Sequence, residues 1–292
     1  MISYNPKEWF TYIFRFHKAD TFRELLPMIV AIVLYSTMIS WIELEVLQLA
    51  DDHRLKNLTI MHSMLSFVIS MLLVFRTNTA YERWWEGRKL WGALVNNCRN
   101  LALKLQAVLT DPQQRNNLAV LISAYPYLLK NHLRDSHQHD FPEADKLPQS
   151  EQQNIGAHRP NELAGVLMQE VRRLEKEGNL TATDMWLINV ELTALTDICG
   201  ACERIKNTPI PFSYSVFLKK FIFFFIMTLP VALVFSLSYW CVPITAFIFY
   251  VLTSLELIAE EIEDPFGGDE NDLPLDRMSA NIRQSVRDIF KV

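Results

Sequence analysis

The stretch TIMHSMLSFVISMLLVF, Thr59 to Phe75, runs for 17 residues without an Asp, Glu, Lys or Arg and then meets Arg76. At about 1.5 Å per residue, a helix of that length falls short of a hydrocarbon core of roughly 30 Å. It is therefore expected to continue through Arg76 and Asn78 into water. Ser63, Ser66 and Ser70 interrupt the apolar side chains. Lipid offers serines nothing, whereas helix contacts or a water-filled lumen satisfy them. Phe67, Met71 and Phe75 recur every four residues, so they form one narrow stripe that drifts about 40° per step. Ordinary helix packing is the alternative use of such a stripe.

Three further runs have the same character. Residues 25–44 carry no charge between Glu24 and Glu43, and segments 216–236 and 241–259 flank Tyr239 and Trp240 at a tight connection. With 59–76 these make four expected transmembrane helices. Lys219 and Lys220 can snorkel to the interface at the start of the third. The first run follows amphipathic residues including Trp9, Phe10 and Phe14 and lacks a small-residue cleavage site, so a signal peptide is not expected.

Charge placement orients the spans. Lys7, Arg15, Lys18 and Arg23 precede the first, Arg76, Arg83, Arg88 and Lys89 follow the second, and the short 43–58 connection is mixed in sign. Both termini and the long 76–215 segment are therefore expected in the cytoplasm. Apolar and aromatic residues make up 50% of the 292-residue chain, which places a lipid-facing and a water-facing part in one molecule. A net charge of -5 argues against nucleic acid as a partner.

The water-facing part, 77–215 plus 260–292, reads as helical. A long helix is expected from Asn78 to about Val108, rich in Trp84, Trp85, Leu90, Trp91 and Leu94. Asp111-Pro112 caps the next, which is a second cytoplasmic helix or a kinked pair because Pro126 is expected to disturb the run. Asn161 is read as the cap of a helix that Gly178 ends, a further helix covers about 181–204, and Asp276 is read as the cap of the last. His132, His137, His139 and His158 lie near Asp135, Asp140 and Glu143, but their spacing has no ordered metal-ligand pattern. Cys199 and Cys202 form a C-x-x-C without a second pair or a strand-to-helix setting, so structural thiols are expected. No H-E-x-x-H, P-loop or G-x-S-x-G fingerprint is present, and no enzyme is expected.

The run Phe75-Arg76-Thr77-Asn78-Thr79-Ala80-Tyr81-Glu82-Arg83-Trp84-Trp85-Glu86-Gly87-Arg88 resembles the signature that follows the second span of the bestrophin family. Thr208-Pro209-Ile210-Pro211-Phe212 and Ile262-Glu263-Asp264-Pro265-Phe266-Gly267 look like its landmarks before the third span and after the fourth. The resemblance covers nearly the whole chain. It implies one bestrophin-like, all-α integral membrane unit that assembles as a homopentamer around a central pore, in a bacterial inner membrane. Animal members are calcium-activated chloride channels, and bacterial relatives include pores described as cation-selective. The resemblance thus implies passive conduction of chloride or another monovalent anion, with a sodium or potassium channel or a non-conducting scaffold as alternatives. Phe67, Met71 and Phe75 match the family's pore neck by their distance from Arg76, and rings of such residues can gate by dewetting. A cytoplasmic constriction falls near Thr183, with Met185 or Leu187 as the nearest narrow position. Asp184 and Glu191 are candidates to face the vestibule and concentrate cations there. Arg76, Asn78, Tyr81, Arg83, Asp264, Pro265, Phe266 and Gly267 are the family-motif positions. No cofactor is required by this reading, although Asp269 and Asp272 stand where the calcium-clasp carboxylates of animal members would be.

Overall fold

The computed structural model describes residues 21–48, 58–136, 140–147 and 158–291. Trp9, Phe10 and Phe14, the basic residues before Arg23, most of the 43–58 connection, His137 and His139 lie outside them. The described residues form eight α-helices: α1 Thr21–Trp41, α2 Leu58–Val108, α3 Pro112–Leu133, α4 Arg159–Lys176, α5 Ala182–Asn207, α6 Phe212–Leu237, α7 Cys241–Glu263 and α8 Leu275–Phe290. They divide into two compact units. One runs to Arg83 and resumes over Pro209–Glu263; the other comprises Trp84–Thr208 and Asp264–Val292.

In the first unit the chain has four membrane-spanning helices: α1, the first part of α2, α6 and α7. Phe212–Glu263 is one apolar stretch by composition, but the 3-10 turn Ser238–Trp240 divides it into the separate helices α6 and α7. Their apolar side chains are shared between lipid and a small core. Ile32, Ile69, Leu73, Leu218, Ile222, Phe225, Ile226, Leu229 and Leu252 pack together, while Leu34, Met38, Phe223, Phe224 and Phe247 stay exposed. Several side-chain hydroxyls inside this layer bond across it, which lowers the cost of a polar group where water is excluded. Thr21 Oγ1 donates to Ser254 at 2.9 Å, Tyr35 donates to the Met227 carbonyl at 2.8 Å, and the Thr59 hydroxyl donates to the Ala232 carbonyl at 2.9 Å.

The second unit has its own larger core, in which Trp91, Leu94, Leu101 and Leu105 of α2 meet Leu118, Ile122 and Tyr125 of α3, Leu163 and Leu167 of α4 and Leu195 of α5. α5 is also long and apolar enough to span a membrane. It instead packs Ile188, Leu192, Leu195 and Ile205 into this core, and it carries Asp184, Glu191, Asp197 and Glu203. Local chemistry sets the helix ends. Asp111 accepts from the Gln113 N–H ahead of Pro112, and Gly178 at φ 80° turns the chain out of α4.

Three local expectations are corrected. Pro126 does not break α3, because every residue from Leu118 to Asn131 is buried and packing on all sides outweighs the lost backbone bond. His158, not Asn161, caps α4, its Nδ1 accepting the Asn161 N–H at 3.3 Å. Pro274 precedes α8 and Asp276 sits in its first turn, where it pairs with Lys130 at 2.6 Å and Arg134 at 2.9 Å.

Gly87 supplies a stability test of the second unit. A Cβ there would lie 3.1 Å from both Pro265 Cγ and Phe266 Cε1, and Phe266 is fully buried and cannot yield. Gly87→Ala is expected to cost about 1–3 kcal/mol. Gly165→Ala in α4, with nothing within 4 Å of the new methyl, is expected to be neutral or stabilising. Thermal unfolding in detergent, followed by tryptophan fluorescence, reads both.

Candidate functional site

Helix α2 has two faces in the membrane unit. His62, Ile69, Leu73, Arg76 and Ala80 are buried, a spacing that keeps one side of a helix against its neighbours. His62 Nε2 meets Thr228 Oγ1 at 2.9 Å, its ring lies 5.5 Å from that of Phe225, and the Tyr214 hydroxyl donates to the Leu72 carbonyl at 2.9 Å. Phe67, Met71 and Phe75 lie off this packed face and are 72%, 50% and 55% exposed in the single chain, with Met64 and Val74 beside them. Packing within the chain therefore does not use the stripe. The serines are satisfied without a neighbour or a lumen: Ser63, Ser66 and Ser70 each donate to the carbonyl four residues back, at 3.0, 2.7 and 2.7 Å.

At the end of this stretch the motif segments converge on one carboxylate. Arg76 is 1% exposed; its Nη1 donates to Glu263 Oε2 at 2.6 Å and its Nε lies 3.4 Å from Glu256 Oε2. Glu263 Oε1 accepts the Ile210 N–H at 2.7 Å, and the Glu263 carbonyl accepts Arg83 Nε at 3.0 Å. Arg76 and Arg83 of the first motif, Ile210 of the second and Glu263 of the third thus form one node. Glu256, about two turns earlier on the same face of α7, is the participant that sequence reasoning passed over. Its signal was an acidic residue inside an apolar run, where a charge persists only with a partner.

Asn78, Tyr81 and Asp264 are exposed. Pro265 and Phe266 are buried in the second unit, where Arg134 Nε donates to the Gly267 carbonyl at 2.8 Å and Trp84 Nε1 to the Asn271 carbonyl at 3.0 Å. Asp269 is exposed. Asp272 is buried, with Oδ2 accepting the Asp269 N–H at 2.6 Å and Oδ1 without a partner. Burial pushes the Asp272 carboxyl up to about 7, against the lowering effect of that N–H, with the Asp269 and Asp264 charges adding to the rise.

The residues near the expected constriction separate. Asp184 accepts the Thr181 N–H at 2.9 Å and hydroxyl at 2.6 Å, a capping box that holds its carboxyl below the usual range. Thr183 is exposed and Met185 half-buried, while Trp186, Leu187 and Val190 are exposed at 82%, 56% and 64%. Glu191 is buried and bound to Lys104 at 2.8 Å, so its charge is compensated. Elsewhere in this unit a groove of about 720 Å³ is lined by Trp84, Arg88, Arg99 and Arg277, three arginines with no carboxylate partner among the described residues.

Among the described residues, the group of His, Cys, Asp and Glu side chains able to share a metal ion is His132, His158 and Glu203, whose ligand atoms lie within 4.8 Å of one another. It excludes Asp269 and Asp272. Glu203 lies 45 residues beyond His158, and only helix packing brings it there.

The chain is thus a multi-pass membrane protein with four apolar spans and a separate helical unit. It belongs to the bacterial and fungal bestrophin family, whose model matches residues 1–288. This is a non-catalytic class of channel proteins, in keeping with the sequence's lack of a catalytic fingerprint. A voltage-dependent anion channel-forming protein of Ralstonia nicotianae is 34% identical over 78% of this chain and 76% of its own length. One of Mesorhizobium japonicum is 30% identical over 96% and 90%. The crystal structure of a bacterial bestrophin homolog from Klebsiella pneumoniae superposes with a TM-score of 0.82, 30% identity, and coverage of 91% of this chain and 98% of that one.

Two outcomes follow from the geometry. Arg76→Gln leaves the buried Glu256 and half-buried Glu263 carboxylates without their guanidinium and is expected to cost about 3–5 kcal/mol, part of it restored by adding Glu263→Gln, as read by unfolding in detergent. Native Asp272 keeps its proton up to about pH 7, whereas the unfolded chain releases its own near 4. Its contribution therefore makes stability fall as pH rises from about 4 to 7, by about 2–4 kcal/mol, and level off above. Asp272→Asn removes that slope in thermal unfolding across pH 4–9.

Proposed function

We propose that the chain is the subunit of a passive ion channel, a homopentamer in which α2 of each copy lines a central pore and conducts chloride or another monovalent anion. The observation that carries the reading is the Phe67, Met71 and Phe75 stripe, more than or about half exposed on a membrane helix whose other face is already packed. Five copies around an axis would cover these side chains with one another, as stacked apolar rings that conduct when wetted and close when dry. The neck is neutral and does not choose the ion's sign. The anion assignment rests on the relatives named as anion channel-forming, and it is supported by the pairing of Glu191 with Lys104 and by the groove's arginines, which have no carboxylate partner among the described residues. Both termini and the Trp84–Thr208 unit are assigned to the cytoplasm of a bacterial inner membrane from the charges flanking the spans. The family-derived constriction at Thr183, Met185 or Leu187 is supported by the exposure of Leu187 at the start of α5.

Calcium at Asp269 and Asp272 is retained through the unpartnered Asp272 Oδ1. At pH 8 added calcium then raises the unfolding temperature of the wild type but not of Asp272→Asn; no rise leaves the turn closed on itself.

Purified chain in liposomes is expected to pass ions, with Phe67→Ala and Phe75→Ala raising the flux, and to have the mass of five copies in detergent. A reversal potential near the chloride equilibrium value in an asymmetric salt gradient supports the anion reading. A value near the cation's assigns the pore to sodium or potassium, and folded pentamers without flux support a scaffold.

A further inference from the structure

The strongest feature unused by conduction is where α3, α4 and α5 meet. His132 is in the last turn of α3, His158 is the cap of α4, and Glu203 is near the end of α5. Both imidazoles aim Nε2 at the same oxygen: His132 lies 2.6 Å and His158 2.5 Å from Glu203 Oε1, and their rings are 4.4 Å apart. All three side chains are about one third exposed, open enough for an ion and a water to enter.

We propose that His132 Nε2, His158 Nε2 and Glu203 Oε1 bind a borderline divalent cation, zinc in the first instance, which ties the three helices together. Ligand atoms about 2.0–2.1 Å from a tetrahedral zinc stand about 3.3 Å from one another, so the two short N···O contacts need to widen by less than about 1 Å. Two imidazole nitrogens and one carboxylate oxygen suit zinc, cobalt or nickel, whereas calcium requires six or more oxygens. Water completes the fourth position. Surrounding groups hold the ligands in place: the His132 carbonyl accepts Lys206 Nζ at 3.1 Å, and Lys206 pairs with Asp135 at 2.6 Å. A metal on His158 Nε2 places the ring proton on Nδ1, so the 3.3 Å bond from the Asn161 N–H is given up when the ion binds. That exchange gives a marker which a merely hydrogen-bonded cluster lacks.

The test uses the untagged full chain in detergent, freed of metal by chelation and titrated with Zn²⁺ against a chromophoric chelator, then with Co²⁺ alone. The expected result is one ion per chain, an intense tetrahedral cobalt spectrum and a shift of the Asn161 amide resonance. His158→Gln and Glu203→Gln should each weaken binding by about 100-fold or more, while the charge-matched surface change Glu170→Gln leaves it unchanged. Glu203→Gln keeps the side chain's shape and its acceptor oxygen, so it reports on the site even if a histidine variant does not fold. Absence of stoichiometric zinc, a weak octahedral cobalt spectrum, or unaltered binding in Glu203→Gln overturns the proposal. Metal content is read without ion flux, so a chain that fails to conduct leaves this result standing.

Discussion

A guanidinium removed from water needs opposite charge beside it, and in this chain Arg76 has two carboxylates there. It lies at the end of an apolar run, 1% exposed, and both carboxylates come from α7: Glu263 accepts its hydrogen bond and Glu256 is its ion-pair neighbour. Glu263 in turn holds the Ile210 N–H ahead of α6 and, through its carbonyl, Arg83 one helical stretch beyond Arg76. Replacing such a group by an apolar one of similar shape can be neutral, but removing one partner is costly, since the remaining charge stays buried. The node therefore specifies which helices meet at which height more than it adds stability. It gives a physical reason for three motifs, far apart in sequence, to belong together.

With α2 fixed on one side, its other side is left for something outside the chain. His62, Ile69, Leu73 and Arg76 are committed to contacts within the membrane unit. Phe67, Met71 and Phe75 are not, and the serines of this stretch, Ser63, Ser66 and Ser70, close on their own helix carbonyls. A serine that has satisfied itself adds little polarity to the surface it lies on. The resulting face is mostly apolar and suited to rings that exclude water until they open.

The second unit distributes its charges differently. Glu191 is neutralised by Lys104, Asp184 is bound into a helix cap, and Lys130 is shared by Asp140 and Asp276. Of the buried carboxylates described in this unit, Glu191 and Glu143 are paired with basic side chains. Asp272 is the exception, with one oxygen on a backbone N–H and one without a partner, and its raised protonation range follows.

The sequence by itself determined the four spans, the long α2, the all-α class and the family. These depend on hydropathy, on helix period and on contiguous motifs, which are local properties. It also placed Asp111 and Gly178 at helix ends, where one side chain or one backbone angle decides. Other features were decided only by tertiary structure. Pro126 stays within α3 because its surroundings are packed on every side, and His158 rather than Asn161 caps α4 because of where its ring comes to lie. Glu256 and Glu263 reach Arg76 across 180 and 187 residues, a distance over which no spacing rule operates. His132, His158 and Glu203 had no ordered ligand pattern for the same reason: each belongs to a different helix, and only the packing of α3, α4 and α5 makes them neighbours.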